Sequence, residues 1–374
     1  MKIYLVGGAV RDQLLNISVI DKDYLVVGSS PQEMLDLGFK PIGKDFPVFL
    51  HPKTKEEYAL ARTEKKVGIG HKGFTFYASP EVTLEQDLER RDITINAIAV
   101  DANNNYIDPF NGIDDLKKNV IRHVSSAFEE DPLRVLRVAR FKAKLNSFTI
   151  HEKTYDLMNR IVRSGEINNL SAERMMMELK KGFEEEHAFS MLEVLNDCGA
   201  IDHIFPKIEF KNNKDKIKNV LHASHHLCKA APNKRLLLFL LASNSIDNNI
   251  DNKIYENIKK ISLPSFEKGL IKLIEKNISE LVRFSSLENS KQLDLLYSFD
   301  FFRRPEILNE SFELLELIKK DNKNHSLLIE LSRKLIKNFQ KLIRNNQNEI
   351  DKSLSGEQIK KAIYEERLLL IKKL

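Results

Sequence analysis

The 374-residue sequence contains no tryptophan, only two cysteines and no long uncharged apolar run, and each scarcity excludes a class of protein. A membrane-spanning helix needs about 20 consecutive apolar residues, and no stretch approaches that length. The opening Met1-Lys2-Ile3-Tyr4-Leu5-Val6-Gly7-Gly8 turns polar too soon for a secretory signal. Cys198 and Cys228 are too few for a disulfide framework and form no CxxC pair. A cytoplasmic protein with reduced thiols and no membrane partner is the expectation. Glycine is sparse and uneven: nine of the fourteen lie at or before Gly112.

What is present is a globular composition, 42% hydrophobic and 30% charged, long enough for two to four domains. Up to Gly112, short β-type runs alternate with turn signals: Ile3–Val6, Asp23–Val27, Pro47–Leu50, Glu57–Ala61 and Ile93–Val100. Helical spacing covers Ala9–Leu15, and Pro31–Leu37 behind the cap Ser29-Ser30. Beyond Ser125 apolar residues recur at three and four, as in Leu308, Phe312, Leu315 and Ile318, so the remainder should be helical. Breaks near Ser125, Gly199–Pro206 and Arg304-Pro305 divide the chain into an α+β part, 1–124, and helical parts 125–205, 206–304 and 305–374. Asn244–Asn252 and Asn345–Asn348 read as exposed linkers. Residues 201–374 carry 32 Lys and Arg against 23 Asp and Glu, whereas residues 1–200 carry 27 against 31. A basic back half suits a polyanionic partner; a Lys-rich composition with ordinary solvated helices gives the same numbers.

Two short motifs carry chemistry. Gly7-Gly8-Ala9-Val10-Arg11-Asp12 follows a strand and opens a helix, so the backbone can turn sharply, approach a ligand closely and add the charge of Arg11. That is a phosphate cradle in principle, and a plain tight turn otherwise. Next, Asp21 and Asp23 alternate on a strand and share a face. Two neighbouring carboxylates repel unless a cation lies between them, and hard oxygen ligands suit Mg²⁺. A solvated strand entrance is the alternative for either carboxylate alone.

Together these elements resemble the signature of the polymerase-β nucleotidyltransferase superfamily. More narrowly they resemble the class II tRNA nucleotidyltransferases, the CCA-adding enzymes and their bacterial poly(A) polymerase relatives. Glu89-Arg90-Arg91-Asp92-Ile93-Thr94-Ile95-Asn96-Ala97 is similar to that family's ribose- and triphosphate-contacting motif, and Glu129-Glu130-Asp131-Pro132-Leu133-Arg134 through Phe141 to its base-reading motif. Ser171-Ala172-Glu173-Arg174 with Glu178 resembles the helix-stabilising motif that follows. The likeness is dense over residues 1–205 and closest to the gammaproteobacterial type. It implies a polymerase-β-like head followed by an all-α neck, body and tail.

The resemblance implies roles residue by residue. Asp21 and Asp23 would hold two Mg²⁺ ions. Gly8, Arg11, Arg91, Asp92, Arg137 and Arg140 would bind nucleotide. Asp131 and Arg134 would read the Watson–Crick edge of C or A. The residues make sense beside this: Asp131-Pro132 is a sound helix start, and on a helical wheel Arg134, Arg137 and Arg140 oppose Val135, Leu136, Val138 and Ala139. Three guanidiniums on one face are costly unless anions or carboxylates meet them.

Glu57, on a strand that could lie beside the metal strand, is a candidate third catalytic carboxylate or a cross-strand partner. Arg62–Lys72 reads as a mobile loop; the family resemblance ties such a loop to addition of the final A. His222, His225 and His226 lack a nearby carboxylate at helical spacing. Where related proteins place an His-Asp doublet, this sequence has Arg235–Ser243 with none, so the phosphohydrolase activity is expected to be lost. The implied reaction is template-independent CCA addition to the tRNA 3′ end from CTP and ATP, the basic stretches Lys337–Arg344 and Lys360–Lys373 gripping the tRNA. The well-formed Asp131/Arg134 pair and the basic tail argue against a poly(A) polymerase. The loop argues against a CC-adding specialist, and both aspartates against an inactive RNA-binding protein.

Overall fold

A computed structural model describes residues 1–19, 21–42, 48–66, 74–244, 253–319, 322–345 and 355–373. The chain forms two compact units, Met1–Ile204 and Phe205–Leu374.

The first unit opens with strands β1 (Lys2–Val6), β2 (Asp23–Val27), β3 (Lys40–Ile42), β4 (Val48–Leu50), β5 (Glu57–Leu60), β6 (Arg62–Lys66), β7 (Phe74–Ala78), β8 (Ala99–Val100) and β9 (Tyr106–Ile107). Seven of them form one mixed sheet in the order β3-β4-β5-β2-β1-β8-β9. β1 runs antiparallel to β2, and β2 runs parallel to β5. Alternation along β2 explains its central place, because both its faces are covered. Leu25 packs with Val6, Leu84 and Leu88 on one side, and Val26 with Met34, Phe49 and Leu60 on the other.

Helices α1 (Gly8–Leu14), α2 (Pro31–Asp36), α3 (Leu84–Glu89) and α4 (Gly112–Lys117) complete this part. α2 and α3 start where their sequences dictate: Ser30 with Glu33, and Thr83 with Gln86, form reciprocal capping boxes. Two expectations are corrected. Arg62–Lys66 is not loop but β6, paired antiparallel with β7; the β-prone run Phe74-Thr75-Phe76-Tyr77-Ala78 supplies its ladder partner. Ile93–Val100 is not one strand, because Thr94–Asn96 forms a 3-10 turn and only Ala99–Val100 joins the sheet. The Thr94 hydroxyl donates to the buried Asp115 carboxylate, and a Cβ at Gly112 would collide with the Thr94 carbonyl, so this turn is tied to α4.

Helices α5 (Leu133–Lys144), α6 (Glu152–Arg163), α7 (Ala172–Phe183), α8 (Ala188–Asp197) and α9 (Ala200–Ile204) finish the unit, with a two-residue parallel pair, β10 (Val120–Ile121) and β11 (Thr149–Ile150). α5 is the pivot: Val135, Leu136, Val138 and Ala139 are buried, and it packs on α7 and α8.

The second unit is helical throughout its described residues: α10 (Lys214–Ala223), α11 (Pro232–Ala242), α12 (Lys253–Ile258), α13 (Ser265–Val282), α14 (Asn289–Ser298), α15 (Pro305–Lys319), α16 (Lys323–Asn345) and α17 (Gly356–Ile371). Leu236–Leu241 on α11 is at most 1% exposed, as its unbroken apolar run requires. The rings of His222, His225 and His226 stand about 6 Å apart in sequence order, 6.2 and 6.1 Å between centroids. Residues 245–252 and 346–348 of the expected linkers, and 67–72 of the expected loop, lie outside the described residues.

Candidate active site

The cradle begins where β1 ends. Gly7 has φ +74°, and a Cβ there would approach Arg91 Nη1 to 3.0 Å. The left-handed backbone therefore calls for glycine at this position, while the contact is with the movable end of the Arg91 side chain. At Gly8 the demand is weaker, since a Cβ would meet only Arg11 Nη2 at 3.5 Å, an ordinary contact.

Strand pairing then brings the carboxylates to this turn. Asp23 is in register with Val6, the residue before Gly7, and on its other side with Glu57 of β5. Asp21, Asp23 and Glu57 are all exposed. Partial loss of hydration pushes the Asp23 carboxyl above its ordinary range, Arg91 and Lys181 pull it back, and Asp21 adds to the rise. Two hard oxygen donors, one already strained toward the neutral form, fit a divalent cation. Among the described residues no group of three or more His, Cys, Asp or Glu side chains gathers to hold a metal.

The arginines are built into the protein by carboxylates and one ring. Arg137 Nε donates to Asp92 Oδ2 at 2.7 Å, and its Nη1 lies 3.6 Å from Glu178 Oε1. Arg140 Nε donates to Glu178 Oε2 at 2.6 Å. Burial alone would raise the Asp92 carboxyl; the charge and hydrogen bond of Arg137, with the Asn96 amide, outweigh it and hold the group well below the usual carboxylate range. Arg11 is 4% exposed, with Nε donating to Asp12 at 2.8 Å and Nη1 to Asn96 Oδ1 at 2.7 Å. Arg91 donates to the Asn96 carbonyl at 3.2 Å and to Asp87 at 3.3 Å. The Phe141 ring lies 5.4, 5.8 and 4.3 Å from the guanidinium carbons of Arg11, Arg137 and Arg140, within the reach of cation–π attraction.

The two residues expected to read the base lie at the start of α5. Asp131 Oδ1 accepts from the Leu133 amide at 3.1 Å, so its side chain covers the helix start, although α5 itself begins at Leu133. Arg174 Nη2 and Nη1 meet the two Asp131 oxygens at 2.8 and 3.3 Å. Arg134 is largely buried and donates from Nη2 to the Arg90 carbonyl at 2.7 Å.

The chain is 41% identical over all 374 residues to a CCA-adding enzyme of Coxiella burnetii (strain RSA 331 / Henzerling II), covering 100% of this chain and 96% of that protein. The chain belongs to the CCA-adding enzyme family. Over 209 residues, 56% of this chain, it is 56% identical to a multifunctional CCA protein of Methylobacillus flagellatus, covering 51% of that protein. A Thermotoga maritima CCA-adding enzyme complexed with tRNA_CCA shares the fold with TM-score 0.66 and 25% identity, over 100% of this chain and 87% of that one. Residues 3–122 match a poly A polymerase head domain, and residues 147–211 a probable RNA and SrmB-binding site of polymerase A.

Four residues of this CCA-adding enzyme family member escaped sequence reasoning as parts of the site. Asn96 and Phe141 stand inside quoted motifs but face inward to bind arginines. Asp12 accepts from Lys144 at 2.8 Å, joining α1 to α5 across 132 positions. Asp87 receives Arg91 and, at 3.3 Å, the Arg62 amide at the foot of β6. The signal for Phe141 was its helical spacing, four after Arg137. Asp12 closes the Gly7–Asp12 motif without its role being legible there, and no local pattern marks Asp87.

Proposed function

We propose that this protein adds or repairs the 3′-terminal CCA of tRNA from CTP and ATP without a nucleic-acid template, releasing pyrophosphate, in the cytoplasm. The observation that carries the reading is the register of β1, β2 and β5, which sets Asp23 between the Gly7-Gly8 turn and Glu57. Asp21 and Asp23 would hold the divalent metal that the family uses, read here as Mg²⁺; when bound it neutralises charge on the phosphoryl oxygens and activates the attacking hydroxyl.

The rest of the work falls to the chain's own groups. Gly8 lets the backbone approach the triphosphate, and Arg91, Arg137 and Arg140, with Arg11 and Asp92 behind them, hold its charge in place. Glu57 takes the proton of the tRNA hydroxyl. Asp131 and Arg134 offer an acceptor and donors to the base edge. Arg174 fixes the acceptor, because both Asp131 oxygens rest on its guanidinium.

The working division is head 1–124, neck 125–205, body 206–304 and tRNA-binding tail 305–374, with the α11 region kept as scaffold and without phosphohydrolase activity. The test uses purified protein, tRNA lacking its 3′ end and labelled CTP or ATP. CTP alone should extend the tRNA by two residues, CTP with ATP by three, and then extension should stop. Long tails from ATP alone would instead indicate a poly(A) polymerase, and arrest after two C residues with ATP present a CC-adding enzyme.

A further inference from the structure

Asn96 is 7% exposed and sits between two buried groups of opposite charge. Its Oδ1 accepts from Arg11 at 2.7 Å and its Nδ2 donates to Asp92 Oδ1 at 3.2 Å. The amide orientation follows from chemistry: a guanidinium only donates and a carboxylate only accepts, so oxygen must face Arg11 and nitrogen Asp92. Without this spacer, Arg11 Nη1 and Asp92 Oδ1 would each lose the partner that links them. The charged groups around the side chain are Arg11 of α1, Asp92 and, through the Asn96 carbonyl, Arg91. One bond further out are Asp12 and, on α5, Arg137.

Followed outward, these contacts close a ring. Lys144 binds Asp12, Asp12 binds Arg11, Arg11 binds Asn96, Asn96 binds Asp92, and Asp92 binds Arg137. Arg137 and Lys144 lie on one helix, so α5 completes the circuit. The Phe141 ring, also on α5, lies 5.4, 5.8 and 4.3 Å from the guanidinium carbons of Arg11, Arg137 and Arg140.

We infer that Asn96 is a positioning residue for nucleotidyl transfer: it touches no substrate but locks the helix behind the Gly7-Gly8 turn to the helix that carries the nucleotide-binding arginines. The inference rests on the function proposed above. It makes Asn96 indifferent to which base is added, because the ring supports the triphosphate end and not the base-reading pair.

The test compares wild type with Asn96→Ala and Asn96→Asp in kcat and KM for CTP and ATP, tRNA binding, and thermal midpoint between pH 6 and 8. Misplacement on the scale of 1 Å costs on the order of 100-fold in rate. Asn96→Ala should therefore lose about 100-fold in kcat for both nucleotides, with the C-to-A ratio and tRNA binding unchanged. In Asn96→Asp the new carboxylate opposes Asp92; once protonated it offers one acceptor and one donor, as the amide does. Its kcat and midpoint relative to wild type should rise as pH falls, while those of Asn96→Ala stay flat. Wild-type kinetics in Asn96→Ala would overturn the inference, as would a pH-independent deficit in folded Asn96→Asp or a loss of rate fully recovered on cooling. If the wild type itself adds no nucleotide, the functional reading falls and the positioning role with it, and the midpoints still report the ring.

Discussion

Two carboxylate–guanidinium pairings of nearly equal length sit in opposite surroundings in the two units. Arg137 meets Asp92 at 2.7 Å with the guanidinium 35% and the carboxylate 5% exposed; Arg303 meets Asp300 at 2.8 Å with the guanidinium 79% and the carboxylate 24% exposed. Arg304 adds a third group to the exposed set at 2.8 Å. Distance alone would rank them together. Dielectric and hydration separate them: a buried charge that loses its partner stays buried, whereas an exposed one is rehydrated. The first unit thus uses buried pairs to fix arginines in place, and the Asp300 cluster decorates a helix entrance.

The largest effect should come from Asp92→Ala, which leaves Arg137, 35% exposed, with only Glu178 at 3.6 Å and takes a partner from Asn96. Breaking a fully buried pair from one side costs about 3–5 kcal/mol; with Arg137 partly hydrated and still facing a carboxylate, the loss should fall toward the lower end, read as a lower midpoint in urea denaturation. A loss no larger than that of Asp300→Ala would erase the contrast.

The Asp131–Arg174 pair shares its exposure evenly, at 21% and 20%, where Asp92–Arg137 concentrates its burial on the carboxylate. Arg174→Ala releases the acceptor that the base edge would use, and unpaired hydrogen-bonding groups shift discrimination by about 1–3 kcal/mol. Incorporation of UTP or GTP relative to CTP should rise accordingly. Unchanged selectivity would place base reading elsewhere.

Acid sharpens the comparison further. The depressed Asp92 carboxyl contributes stability that is fully present above the ordinary value of 3.8 and is lost as pH falls through its lower folded value. Asp92→Asn should therefore flatten the acid limb of the stability curve. Asp23 has the opposite sign. Its raised carboxyl favours the fold below the ordinary value of 3.8, and this is lost as pH rises through the folded value, so the ionised group opposes folding near neutrality. In metal-free buffer Asp23→Asn should raise the thermal midpoint, and it should remove the further rise that Mg²⁺ gives the wild type. A Mg²⁺ effect of the same size in both proteins would move the metal away from Asp23.

The smallest effect belongs to the exposed cluster. Hydrogen bonds from Arg303 and Arg304 hold the Asp300 carboxyl at about 2, yet all three groups can be rehydrated. Asp300→Ala should leave the denaturation midpoint near that of wild type, and a large drop would contradict the weak role of this exposed cluster.

How much of this the sequence discloses depends on the range of the contact. β1, β2 and α2 are legible because alternation, the glycine turn and the Ser30 cap act within a few residues. The burial of α11 follows from its unbroken leucines. The β6–β7 ladder was missed because lysine and glycine content suggested a loop, and its partner strand lies beyond the described break. The face of α5 is legible from a helical wheel, but its partners are not: Asp92 and Glu178 lie 45 and 38 positions from the arginines they bind. Asn96 looked like one more polar residue of a motif, since nothing local tells that both ends of its amide meet buried charges.

The most direct test of the account is single-turnover addition by Asp23→Ala on tRNA lacking its 3′ end, with CTP and ATP at saturating Mg²⁺ and tRNA binding measured on the same preparation. The account predicts no detectable addition of C or A with tRNA affinity retained. Turnover near that of wild type would contradict it, since the carboxylate that strand register places beside the Gly7-Gly8 turn would then be dispensable.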